Sequence, residues 1–399
     1  MVIHQSFQAG RMLITSSIAT LLMSASLVAG DPVIVGVGRG PEAPKQPQIT
    51  VSGDGTVHGV FGAGQSVFYW KQSAPELQPT TPVRAFDVPN MSLGMRRGPR
   101  IALSRQTVVV SAIGGVIGKG RDGDLMAWRS SDEGRTWQGP VQVNDRKDSA
   151  REGLHAMAAS DDGTLWCVWL DLRDGKTELF AAHSDDAGQT WSANRRIYQS
   201  PGGSICECCH PSIVMRGKAI HIMFRNSIAG KRDMYLLSSA DGGQSFAPAV
   251  PLGREQWTLD ACPMDGGMLA VDASGTVRTA WRRDRAIFTA STEQKTERSL
   301  GTGQNPWMTG HDDDAIVAWT TGRKGDLMVQ SLSSKTWHRL SQDARDPVVA
   351  TSASGSGPML CCWEREQDGR NEIVILEISH VNRTADEQRC ELAPAERSP

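Results

Sequence analysis

One signature of eight residues occurs three times in this chain, as Ser130-Ser131-Asp132-Glu133-Gly134-Arg135-Thr136-Trp137, Ser184-Asp185-Asp186-Ala187-Gly188-Gln189-Thr190-Trp191 and Ser239-Ala240-Asp241-Gly242-Gly243-Gln244-Ser245-Phe246. Each copy reads S-x-D-x-G-x-[ST]-aromatic. The glycine supplies a turn dihedral that other residues avoid, and the aspartate carboxylate can accept hydrogen bonds from amides of its own turn. Every copy is thus a self-satisfied hairpin turn with an aromatic ring beneath it, and Asp132, Asp186 and Asp241 are structural. Recurrence at a spacing of about 54 residues marks a propeller or a solenoid.

A second repeat runs through the same chain: a strand, a tight polar turn, and a strand ending in an aromatic. Met157 to Trp169 and Met268 to Trp281 are examples, and matching hairpins end at Phe61, Phe224, Trp319 and Trp363. The unit around Ile101 to Ile113 keeps the hairpin without the aromatic, which makes seven units. Alternation bounded by turn residues marks β-hairpins, and the terminal aromatics fill space between neighbouring units. A third strand follows in each unit, then the signature turn and an outer strand, which is the four-stranded antiparallel blade of an all-β propeller. The signature decays at Ser291 to Glu297 and at Ser331 to Trp337. The last unit, Pro347 to Ser379, lacks a fourth strand, whereas Pro32 to Val37 is an orphan strand expected to close the ring there.

The signature resembles the Asp-box of sialidases and of the wider bacterial-neuraminidase-repeat propellers. The resemblance implies a box on the outer blade edge, away from the central pocket, and six blades, as sialidases have, stand as the alternative to seven. Arg11 followed by the uncharged stretch Met12 to Val28 reads as a secretory signal cleaved near Gly30. Residue 31 is Asp, so a lipoprotein acceptor is missing. The expected organisation is a signal peptide over 1–30, one propeller domain over 31–380 and a polar tail over 381–399, in a periplasmic or secreted protein without a membrane span. A formal net charge of -2 argues against nucleic acid as a partner.

In a propeller the loops that lead into the innermost strands gather at one mouth of the central channel, where ligands bind. Here those loops and their companions are crowded with Arg, acid, Cys and His, including Arg345, Asp346, Glu364 and Glu366. The family resemblance implies three arginines around a sugar carboxylate, for which Arg100, Arg225 and Arg282 are the candidates, together with an Asp acid and a Tyr nucleophile paired with a Glu. The only tyrosines are Tyr69, Tyr198 and Tyr235, none in the late blades where the family places its nucleophile. Glu152, Asp171 and Asp265, with Asp284, remain candidates for other glycoside acid–base chemistry.

Cys206-Glu207-Cys208-Cys209-His210 is the sharpest local pattern, and Cys262 occupies the matching loop of the next blade. Cys206, Cys208, Cys209, His210 and Cys262 offer sulfur and imidazole ligands suited to copper or zinc. In an exported chain the same cysteines can instead form disulfides, and C-x-x-C-H also fits covalent c-type haem as a lesser alternative. C-x-C-C resembles a pattern found in a subset of exported sialidase-like propellers. Cys167, Cys361 and Cys362 lie in strands and read as buried thiols, and Cys390 belongs to the tail. Taken together, the residues point to an exported sialidase-like propeller that binds a soft metal ion or an anionic glycan without the family's Tyr nucleophile. An exo-α-sialidase or related glycoside hydrolase is the alternative, and a non-catalytic interaction scaffold the second.

Overall fold

Strands account for nearly all the regular structure among the described residues, because the alternating segments of the sequence pair with one another in antiparallel sheets. The computed structural model describes residues 26–29, 31–73, 78–293, 296–334, 336–352 and 358–381. The expected signal segment, apart from a short strand at Ser26–Ala29, and the tail with Cys390 lie outside the described residues. Residues Leu27–Ser379 form one compact unit.

Five sheets have four antiparallel strands each and span 44–87, 100–142, 155–198, 212–251 and 268–302. The sixth has eight strands. In it the single strand Trp337–Ala350 pairs on one side with Gly325–Ser331 and on the other with Met359–Gln367. The orphan strand, Val33–Gly38, pairs antiparallel with Arg370–Val381, setting Val33 opposite Ile375 and Gly38 opposite Asn371.

Side chains alternate across each strand, so the sheets bury both faces. From the strand Leu165–Asp171, Cys167 and Trp169 pack with Val109, Ile113 and Leu125 of the second sheet. Trp166, Val168 and Leu170 pack the other way, against Ile213, Ile220 and Ile222 of the fourth. The first sheet joins the last in the same manner, with Val57, Phe61 and Trp70 against Val348, Leu360 and Cys362. The aromatics that end the hairpins, Phe61, Trp169, Phe224, Trp281, Trp319 and Trp363, are all buried, as are Cys167, Cys361 and Cys362.

The three signature turns share one geometry. Asp132 Oδ1 accepts from Ser130 Oγ at 2.8 Å and from the Thr136 amide at 2.9 Å, and Oδ2 accepts from Thr136 Oγ1 at 2.6 Å. Asp186 and Asp241 repeat this pattern with Ser184 and Thr190 and with Ser239 and Ser245. Gly134 sits at φ +85°, and a Cβ there would meet the Tyr69 ring at 2.1 Å, so glycine is required twice over. The decayed copy near Ser331 is rescued from a distance. Asp314, on the preceding hairpin, accepts from the Ser333 amide at 3.0 Å and from the Ser331 and Ser333 hydroxyls.

Candidate functional site

The loop that leads into the strand Ser212–Arg216 is pinned at its start. The Ile205 amide donates to the Thr177 carbonyl and the Cys206 amide to the Arg225 carbonyl, at 2.9 and 3.0 Å. This anchoring turns three cysteine side chains toward one another. The sulfurs of Cys206, Cys208 and Cys209 lie 3.6, 3.7 and 3.9 Å apart, and all three residues are buried, with Met264 packed against them. Arg232 Nη1 stands 3.5 Å from Cys206 Sγ. Hydrogen bonds from Cys208 and Cys209 pull the Cys206 thiol down; bonding to Cys206 pushes Cys208 up, and burial pushes Cys209 up.

Two of the five expected ligands stand outside this group. Among the described residues, Cys206, Cys208 and Cys209 are the one group of three His, Cys, Asp or Glu side chains whose ligand atoms all lie within 4.8 Å of one another. Cys262 is exposed. His210 is buried with its ring 6.3 Å from that of Trp307, nearly parallel, and neither ring nitrogen has a hydrogen-bond partner. Burial, followed by the charges of Arg96, Arg100 and Arg225, holds its imidazole neutral. No disulfide occurs among the described residues, and the sulfur spacings are far longer than an S–S bond.

The three expected arginines play different parts. Arg100 is buried and spends its guanidinium on the carbonyls of Arg96, Gly98 and Pro99. Arg225, also buried, donates to the carbonyls of Arg232, Asp265 and Arg282 and stacks on Trp257. Both spend most of their donors on backbone oxygens rather than holding them open for a ligand. Arg282 is partly exposed, lies 3.9 Å from Asp265 and lines a cavity.

Asp171 is buried and fully engaged by Ser149, Trp169 and Arg173, which makes it a structural carboxylate. The Glu152 carboxyl is pushed up by partial burial and by Glu207. Asp265 is buried too; Oδ2 accepts from the Asn305 amide at 2.8 Å, Oδ1 has no partner, and burial raises its carboxyl. Asp284 is exposed in a turn, where its carbonyl accepts from Arg282 Nε.

That cavity, of about 360 Å³, lies where the first residues of several innermost strands meet. Its walls include Lys45, Gln46, Met264, Arg282, Arg323, Lys324, Arg345, Asp346, Glu364 and Glu366. The sequence places Arg282, Arg345, Asp346, Glu364 and Glu366 in the mouth loops but not Lys45, Gln46, Arg323 or Lys324, nor does it show that Gln46 joins Asp346 to Glu364: they are separated by 300 and 318 positions, and no local spacing carries that information.

Comparison with known proteins agrees with the all-β fold. Residues 102–277 match the family described as a BNR repeat-like domain. Among solved structures, an ulvan lyase of a polysaccharide lyase family aligns with a TM-score of 0.57 at 10% identity, covering 86% of this chain and 95% of its own. An α-L-arabinanase from Penicillium chrysogenum, complexed with arabinobiose, aligns with a TM-score of 0.52 at 13% identity, over 88% and 98% of the two chains. The sialidase of Trypanosoma rangeli aligns at 0.50 and 11% identity over 85% of this chain, which spans 55% of that protein. A search of curated proteins finds no match. The chain therefore has the all-β fold of the sialidase-like propellers. More particularly, the match over residues 102–277 places a BNR repeat-like domain within that fold.

Proposed function

We propose that this protein is an exported, seven-bladed sialidase-like propeller whose function is to hold a soft metal ion on Cys206, Cys208 and Cys209. In this reading the eight-stranded sheet is two blades sharing one long strand, and the pairing of Val33–Gly38 with Arg370–Val381 closes the ring. The observation that carries the metal assignment is the spacing of three free, buried thiols at 3.6–3.9 Å. Three thiolates bound at about 2.3 Å around a tetrahedral ion sit about 3.75 Å apart, whereas paired cystine sulfurs sit at about 2.05 Å. Thiolates select copper(I) or zinc over magnesium and calcium. Three protein ligands leave a fourth position for solvent or another donor. Haem fits less well, because His210 is buried against Trp307 and a Cβ on Gly266 would meet its Nδ1 at 2.5 Å.

The test is elemental analysis with visible spectroscopy on full-length protein purified from its exported compartment. Stoichiometric copper or zinc that is lost in a folded Cys208→Ser variant is expected. A haem spectrum, or protein that stays metal-free after loading with either ion, would refute the assignment.

A second reading is supported by the cation-rich cavity: an anionic ligand, such as an acidic glycan, binds beside Arg282. Glycan-directed structural neighbours, including the arabinanase and the sialidase, favour sugar chemistry for such a ligand. A glycoside hydrolase activity would then use cavity carboxylates in place of the family's tyrosine.

A further inference from the structure

Gln46 interrupts its strand. The pairing of Pro44–Val51 with Val57–Ala63 shifts register between Lys45 and Gln48, and Gln46 takes a left-handed backbone at φ 55°. Asp346, Met95, Met264 and Asn305, all lining the same cavity, are left-handed as well, at φ 44–55°. Non-glycine residues held this way cost about 1–3 kcal/mol each and concentrate at functional sites.

The distorted Gln46 links two carboxyl groups. Its amide donates to Glu364 Oε1 at 2.7 Å, while its side-chain Nε2 donates to Asp346 Oδ2 at 2.6 Å and to Glu364 Oε1 at 3.3 Å. Glu364 is only 4% exposed, yet it lines the cavity, and Oε2 receives no hydrogen bond from the protein. Among the described residues Lys45 and Arg323, on the same walls, have no carboxylate within ion-pair distance, unlike Arg345, which pairs with Glu366.

We propose that this cavity is a proton-linked carboxylate site, in which Lys45, Arg282 and Arg323 receive a ligand carboxylate and the neutral Glu364 carboxyl donates a hydrogen bond to it. This deepens, and rests on, the reading that the cavity takes an anion. The groups facing Glu364 are Lys45 and Gln46 from the first sheet, Arg345 and Asp346 from the neighbouring strand, Glu366 on its own strand, and Arg96; Ile373, opposite on the last strand, is apolar. Burial and the Asp346 charge outweigh the cations and push Glu364 up to about 7. When ionised, Glu364 has no hydrogen to donate and repels the ligand.

The experiment is calorimetric titration of the full-length protein with D-glucuronate, which stays ionised throughout, at pH 6 and pH 8. With binding proportional to the protonated fraction, affinity is expected to fall about tenfold between them. Glu364→Gln should bind equally at both values, Asp346→Asn should move the midpoint to lower pH, and Lys45→Met should weaken binding at both. Glucose should not bind. Wild-type affinity independent of pH, or an unchanged tenfold fall in Glu364→Gln, overturns the proton link and leaves the anion site standing. No glucuronate binding at either pH, or equal binding of glucose, overturns both.

Discussion

The Arg96 guanidinium donates to the main-chain oxygen of Asn305 at 2.6 Å, across 209 positions of sequence. It also donates to the Pro347 carbonyl at 3.0 Å, lies 3.4 Å from Asp346 and stacks over Trp307. One side chain from the loop before the second sheet thus ties together both halves of the eight-stranded sheet.

Arg96→Met should remove that tie and strand two buried carbonyls and a carboxylate. Breaking a buried charged pair costs about 3–5 kcal/mol. Urea unfolding should show a loss of this order, and a change below about 1 kcal/mol would contradict the role given to Arg96.

The Asp-box turn is local, so Asp186→Ala should cost stability of about 1 kcal/mol while leaving binding intact. Comparing the urea midpoint with metal content and glucuronate affinity checks this; loss of either ligand from a folded variant would place the box in the site.

Hydrolysis of a fluorogenic sialoside should be absent or marginal. Tyr69 is buried with its hydroxyl 2.8 Å from His58, Tyr198 is hydrogen-bonded to Asn226, and Tyr235 lies in a strand against Phe224. Robust turnover abolished by Arg282→Ala would promote the enzyme reading.

Burial lowers His58 from 6.5 to about 4 and holds His155 well below its ordinary value. The unfolded chain therefore takes up protons that the folded protein refuses. The stability conferred by a neutral His58 is fully present above pH 6.5 and is lost as pH falls toward about 4. Urea midpoints measured over this window should fall less steeply in His58→Gln than in the wild type, and parallel curves would exclude His58 as a contributor.

Much of the architecture was legible because its signals are short-range. The box binds residues i to i+4, the hairpin aromatics alternate with period two, and both reappear as turns and buried rings. The orphan strand Val33–Gly38 pairs with Arg370–Val381, a strand of the unit that lacked a fourth. The site was less legible, since a guanidinium's role depends on which carbonyls reach it. Arg100 and Arg225 were the right residue type in the right loops, yet backbone oxygens occupy them. Cys262 matched Cys206 to Cys209 by loop position, but it is exposed and lies outside their cluster. Asp314 replaces the missing box aspartate through space, where no spacing rule could find it.

The pairing of Val33–Gly38 with Arg370–Val381 also dictates an order of events. Val33–Gly38 must wait for a strand made more than three hundred positions later, so during synthesis this sheet stays unfinished until Arg370–Val381 has emerged. Joining such distant segments adds only about 0.6 kcal/mol for each doubling of the intervening loop. The delay is therefore temporal more than energetic: earlier sheets can form as they appear, while Val33–Gly38 waits with its edge exposed to wrong partners in the interval.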